Sequence, residues 1–408
     1  MAPSAAEPLW LVGIAMTPFG RFPDRDLLDL ASDAAQRALT DADLTMLDVG
    51  VLAAGSVFHA NESVGQQLLK QIGQTGIPVF NVANACATGA TALRTAGMAI
   101  AAGDADVALA VGVEQMGKLG LLATEPPRAG APGIFAPEGR VGAAASTEGI
   151  LGTETMPGVF AMAGLEYART HEGVGLEQFA RVAEKNHAHS TLNPLAQYRR
   201  RFTLEEILAA PMISYPNTSL MCSPTADGAA AAVLVSADRM RSLSDEVRRR
   251  AVKITASVIT TDPWCEEGQA LPDFNTLTRN AARSAYESAG VDPADLDLVE
   301  LHDCFATAEL LHYDNLGLCE PGQAGRFIDE GGPWRDGALP VNVSGGLLSK
   351  GHPVGATGIA GVYEIATHLR GEAGERQIEG ATVGLAHVLG LGATCAVHIL
   401  ERRGNNCQ

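Results

Sequence analysis

The sequence predicts an α/β protein built from two copies of one helix-and-strand unit, and three observations predict it. Residues 30–58 and 276–305 share one plan: an amphipathic helix, a short acidic turn and an apolar strand. A helix followed by an apolar strand recurs after each of two short segments. Those segments, Cys86-Ala87-Thr88-Gly89-Ala90-Thr91 and His352-Pro353-Val354-Gly355-Ala356-Thr357, mirror one another 266 positions apart. Alternation of this kind favours mixed or parallel sheets covered by helices on both faces.

Taken in order, LASDAAQRALTDA at 30–42 is the first helix, Leu47-Asp48-Val49 its turn, and the strand ends at Ala54-Gly55. After Cys86, ATALRTAGMAIAAG forms a helix that leads into the strand VALAVGVEQM at 107–116. Residues 119–240 fit the alternation poorly, being rich in Gly, Pro and Thr before helical patterns near 165–186 and 204–210. A segment that long is expected to be a substrate-facing insertion, ending in a strand that returns to the first half. The plan then repeats: TLTRNAARSAYESAG at 276–290, the turn Val291 to Asp295, and a strand from Leu298 into His302-Asp303-Cys304-Phe305. After His352, the helix GIAGVYEIATHLRG leads into the strand ATVGLAHVLGLG. The expected units are therefore 1–118, 119–240 and 241–408.

Composition narrows the function. With 46% hydrophobic and 19% charged residues among 408, the chain reads as globular and not disordered. A formal net charge of -18 argues against a general nucleic-acid binder or an anionic-membrane binder. Seven cysteines without CxxC spacing, and an N-terminus without a signal-peptide pattern, predict a cytoplasmic, thiol-reducing setting with no membrane insertion. The cysteines and histidines lack metal-ligand spacing and no phosphate-binding glycine motif occurs, so no metal and no permanently bound cofactor is expected. The run Arg199-Arg200-Arg201 reads as a solvated edge.

The chemistry concentrates at the mirrored segments. Cys86 lies just before a predicted helix, where free N–H groups and the positive dipole end favour a thiolate. His352 occupies the equivalent place in the second half, and a cysteine with a histidine is the minimum for an activated thiol. The stretch NVSGGLLSKGHPVGATG, from Asn342 to Gly358, is the most specific motif in the chain. It resembles the C-terminal signature of thiolases, and Asn84-Ala85-Cys86-Ala87-Thr88-Gly89 resembles their nucleophile loop.

His302-Asp303-Cys304-Phe305 narrows the resemblance to the branch associated with sterol carrier protein. Asn186-His187-Ala188-His189-Ser190, Cys222-Ser223-Pro224-Thr225-Ala226-Asp227-Gly228, Gly317-Leu318-Cys319 and Leu369-Arg370-Gly371-Glu372-Ala373-Gly374 are similar to segments of the same branch. The likeness runs from about Val12 to the end, and with only a few residues after the last strand no sterol-carrier domain is expected. It implies the thiolase fold: duplicated βαβαβαββ halves in a five-layer α-β-α-β-α sandwich with an inserted loop subdomain. It also implies a homodimer or homotetramer.

One departure shifts a role. Typical thiolases carry a second catalytic cysteine in a Cys-x-Gly turn, where this chain has Gly390-Leu391-Gly392, followed by Ala393 in place of a further glycine. The sterol-carrier-type branch assigns that role to the cysteine of His-Asp-Cys-Phe, here Cys304. The resemblance thus implies thiolysis of a 3-oxoacyl-CoA with coenzyme A as co-substrate, in fatty-acid or sterol side-chain degradation. Cys86 would be the nucleophile, His352 its base and Cys304 the second proton carrier. His302 and His352 would hold an enolate oxygen, and the Cys86 and Gly392 N–H groups a tetrahedral oxyanion. His387, on the strand that leads to Gly390, reads first as a packed strand histidine and, as the alternative, as a residue that supports the site from behind. The alternatives are a thiolase-fold retro-aldolase, a partner-dependent acyltransferase and a non-catalytic acyl-CoA-binding protein.

Overall fold

The computed structural model describes residues 8–116, 156–264, 273–390 and 394–402. In the first half, β1 (Leu9–Met16) is followed by α1 (Leu27–Asp41), β2 (Val51–Gly55), α2 (Val64–Ile72), β3 (Val79–Val82), α3 (Thr88–Ala101) and β4 (Val107–Gln115). The intervening segment supplies α4 (Met156–Thr170), α5 (Leu176–Ser190), α6 (Leu204–Ala209), the hairpin strands β5 (Met212–Ser214) and β6 (Asn217–Thr218), and then β7 (Asp227–Val235). Short helices α7 (Ala237–Arg241) and α8 (Asp245–Arg250) lead to β8 (Val252–Thr261). The second half continues with α9 (Phe274–Ala289), β9 (Leu298–Glu300), α10 (Ala306–Asn315), α11 (Ala324–Asp329), α12 (Gly346–Lys350), α13 (Thr357–Arg370), β10 (Val383–Gly390) and β11 (Thr394–Arg402).

Local chemistry explains the boundaries. Helix α1 starts where the Asp26 side chain accepts from Asp29 N–H while the Asp29 side chain accepts from Asp26 N–H, a capping box. Leu27, Leu30, Ala31, Ala34, Ala35, Ala38 and Leu39 then form one buried stripe at helical spacing. The single helical pattern read near 165–186 is in fact two helices, α4 and α5. Gly173, at φ +77°, breaks it, because that left-handed conformation cannot continue a helix.

The two halves repeat one sheet topology. Strand order is β3-β2-β4-β7-β1 in the first and β8-β11-β10-β9 in the second, joined edge to edge by a short antiparallel β1–β8 ladder. Parallel β2–β4 corresponds to parallel β9–β10, and the antiparallel β4–β7–β1 run to β10–β11–β8. Where the first half has β3, Val299 makes a parallel bridge to Val341.

Three large apolar cores and a smaller fourth around Cys86 pack the five layers together. On β4 and β7, Ala108, Ala110, Ala230 and Ala232 face α3 and α13, while Leu109, Val111, Ala231 and Val233 face α1 on the outside. That is the two-residue period of strands buried on both faces. The second sheet half packs its outer face on α9 through Ala281, Ala285, Val397 and Ile399. Helices α3 and α13 are thus sandwiched between the halves. Their starts touch so closely that a Cβ at Gly89 would come within 2.8 Å of Gly355 O, and one at Gly358 would collide with the Ala90 backbone.

Candidate active site

The contact between α3 and α13 brings the mirrored segments together. Cys86 precedes α3 on a turn in which Ala85 takes φ +46°, a conformation that costs a residue with a side chain. His352 precedes α13, and its Nε2 lies 3.3 Å from Cys86 Sγ. Its Nδ1 lies 2.8 Å from Thr357 Oγ1, whose hydroxyl proton is donated to Pro353 O at 3.0 Å. Thr357 therefore accepts from Nδ1–H, and this leaves the Nε2 lone pair facing the thiol. Burial pushes the His352 imidazole down to about 3, so it rests as a neutral base.

The sequence-derived partners close around this pair. The His302 ring meets the His352 ring edge to face at 5.2 Å, and one ligand atom each of Cys86, His302 and His352 lies within 4.8 Å of the others. Burial, then His352, His387 and His312, holds His302 well below the usual imidazole range. Cys304 is buried on the same loop, and burial, then Cys86 and Asp303, pushes its thiol well up. It is a group that holds its proton until a stronger base appears. The cluster of Cys and His donors would suit a soft divalent ion chemically, although the spacing in sequence does not advertise it.

Strand β10 ends at Gly390, where a Cβ would come within 2.6 Å of Asn84 O in the loop that carries Cys86. Gly392, expected to donate an oxyanion N–H, and Ala393 lie outside the described residues. Met156 at the start of α4 packs with Cys86, Ala87, Val354 and Val388, so the insertion contributes to the wall of the site. Arg199, Arg200 and Arg201 are exposed.

Beneath the His302–Cys304 loop lies a buried polar network to which sequence reasoning assigned no role. The Asp303 carboxylate accepts from Leu347 N at 2.6 Å and Leu348 N at 3.2 Å at the start of α12, and from Asn186 Nδ2 at 2.8 Å. Asn186 Nδ2 also donates to Glu309, which pairs with Lys185 at 2.9 Å and accepts from Tyr313 and Asn342. Asn342 Oδ1 in turn accepts from Leu301 N at 2.8 Å. Burial and then Glu309 raise the Asp303 carboxyl. A second buried set joins Lys350 with Glu300 and Glu364 and ends in the Arg376–Glu364 pair. A readable signal was present: Lys185 and Asn186 fall on the apolar stripe of α5, alongside Phe179, Val182 and Ala183.

Residues 9–201 match the thiolase N-terminal domain, and residues 268–402 match the thiolase C-terminal domain-like family. The chain belongs to the thiolase family. Among its thiolase relatives, bovine sterol carrier protein 2 (Bos taurus) is 39% identical over 96% of this chain and 72% of its own length. An acetyl-CoA acetyltransferase of Methanothermobacter thermautotrophicus is 37% identical over 96% of this chain and 99% of its own. Among solved structures, the Ltp2-ChsH2(DUF35) aldolase superposes with a TM-score of 0.80 at 24% identity, over 98% of this thiolase and 99% of that chain, which shows the common fold. No helix among the described residues of this thiolase is long and apolar enough to cross a membrane.

Proposed function

We propose that the chain catalyses thiolytic cleavage of a 3-oxoacyl-CoA through an acyl-enzyme on Cys86. The observation that carries the reading is the Cys86–His352 contact, with the His352 tautomer set by Thr357. His352 Nε2 takes the Cys86 proton as the sulfur attacks the 3-oxo carbon. The C2–C3 bond then breaks, the acyl group stays on Cys86, and the departing enolate takes the Cys304 proton. Incoming coenzyme A gives its thiol proton to the Cys304 thiolate and attacks the acyl group. Cys86 leaves as a thiolate and recovers its proton from His352. Protons and bonds balance over the cycle, and both thiols return to their starting state.

His302, neutral and beside His352, is the donor proposed for the enolate oxygen. The Cys86 N–H, with Gly392, is proposed to hold the tetrahedral oxyanion, and losing one such donor typically costs roughly 10²–10³ in rate. A retro-aldolase has no use for an acyl-carrying thiol with its own base, so the dyad favours thiolysis.

The test is acyl trapping. Wild-type protein incubated with acetoacetyl-CoA and digested is expected to show an acetyl adduct on Cys86 by mass spectrometry, and Cys86→Ala none. Retained acyl-CoA binding without any adduct overturns the proposal. Cleavage of a 3-hydroxyacyl-CoA to a carbonyl compound and an acyl-CoA, with no need for coenzyme A, supports the aldolase instead.

A further inference from the structure

His302 is backed by two histidines that no step above uses. The His302 backbone N–H donates to His387 Nδ1 at 3.4 Å, and the His387 ring meets the His312 ring edge to face at 4.5 Å. All three side chains are at least nine-tenths buried. Among the described residues, His302 Nδ1, His387 Nε2 and both ring nitrogens of His312 have no hydrogen-bond partner. Leaving buried polar atoms unpaired is costly, and a strand that needed only packing would carry Leu or Val here. Two imidazoles in contact, one of them against the backbone of the His302–Cys304 loop, answer a requirement of that loop.

We propose that His387 is a positioning residue for His302, its unprotonated Nδ1 holding the His302 backbone N–H and so fixing where the His302 ring and the Cys304 thiol stand. The inference rests on the thiolysis reading for its effect on turnover, but not for its geometry. Because Nδ1 accepts, the proton of the neutral ring sits on Nε2. His387 starts strand positions Val388 to Gly390, whose end abuts Asn84 in the nucleophile loop. One residue thereby ties the strand that reaches the Cys86 loop to the loop that carries His302 and Cys304.

Three substitutions separate this role from packing. Asn places its amide oxygen where Nδ1 stood, Gln places its amide where Nε2 stood, and Leu supplies volume without an acceptor. With acetoacetyl-CoA and coenzyme A, His387→Leu and His387→Gln are expected to lower kcat by about tenfold or more with KM changed by less than about twofold. His387→Asn recovers most of that loss. Alkylation of Cys86 by iodoacetamide stays at the wild-type rate in all three. Wild-type kcat in the Leu or Gln variant, or an Asn variant as slow as Leu, overturns the proposal.

Melting curves identify any variant that does not fold, and the assignment then rests on wild-type protein labelled with ¹⁵N-histidine. A His387 resonance protonated on Nε2 supports the proposal, and one protonated on Nδ1 overturns it. An absent acetyl adduct on wild-type Cys86 would sink the thiolysis reading alone, since the tautomer measurement does not depend on turnover.

Discussion

The two halves share a backbone plan and differ in what they bury. Among the described residues of 8–116, the buried ionisable side chains are Cys86 and Glu114, set in a core of alanine, valine and leucine. The described residues of 273–402 bury His302, His312, His352, His368, His387 and His398, together with Glu300, Asp303, Glu309, Glu364, Lys350 and Arg376. The mirrored threonines condense the contrast. Thr91 donates to Ala87 O and accepts from Asn84 Nδ2, while Thr357 donates to Pro353 O and accepts from His352 Nδ1. One duplicated device supports the Asn84 amide in the first half and the His352 imidazole in the second. The scaffold occurs twice, and the buried imidazoles of the two halves gather on the second copy, where His352 faces the Cys86 thiol of the first.

Removing the base from the second half is the strongest way to test that division. His352→Asn is expected to slow acylation of Cys86 by roughly 10²–10⁴, measured by rapid-quench mass spectrometry, because a positioned base is worth that much. An unchanged rate would leave the mirrored pair without a chemical purpose. Next come the threonines. Thr357→Val should cost about tenfold or more in kcat by releasing the His352 tautomer, whereas Thr91→Val should act mainly on melting temperature. Equal losses of activity in the two variants would erase the distinction between the copies.

Acid should act on the second half and the insertion more than on the first. Eight buried histidines, including His352 and His312 at about 3 and His368 at about 4, have pKa values depressed by burial. A folded-state histidine pKa below its unfolded value means that unfolding takes up protons. The stabilisation is present above about pH 6.5 and is lost as pH falls toward the folded values. The raised carboxyls of Glu114, Glu300 and Asp303 act in the opposite sense, and they are fewer. Melting temperature is expected to fall between about pH 7 and pH 5. Hydrogen exchange should show α10 and β10 losing protection before α1 and β4, and the reverse order would contradict the contrast.

The smallest expected effect lies at the seam between the halves. Gly358→Ala puts a methyl group against the Ala90 backbone and should destabilise by about 1–3 kcal/mol in denaturant unfolding. A neutral substitution would mean that α3 and α13 need not approach as closely as they do.

Much of this was legible before any coordinates. Helix α1 and strands β2, β4 and β9 follow from periodicity, since apolar spacing of 3.6 or 2 is written locally. Cys86 and His352 were legible because each precedes a helix in a segment that matches the other. The network of Lys185, Asn186, Asp303 and Glu309 was not, because the bonds from α5 to the other two join positions 117 to 124 apart and a sequence does not say which polar side chains share a void. His387 reads as a packed strand histidine and is one, buried on β10, but its contact with the His302 backbone could not be read for the same reason.

The sequence by itself determined the alternation, the duplication and the two helix starts that carry the thiol and the imidazole. These depend on near-neighbour sterics and on which side chains avoid water. Only the tertiary structure decided that 266 residues of chain close to 3.3 Å between Cys86 and His352. It alone decided that His352 stays neutral and that Cys304 keeps its proton. Those properties depend on the glycine-lined contact of α3 with α13 and on the exclusion of water around them, and both exist only once the halves have packed together.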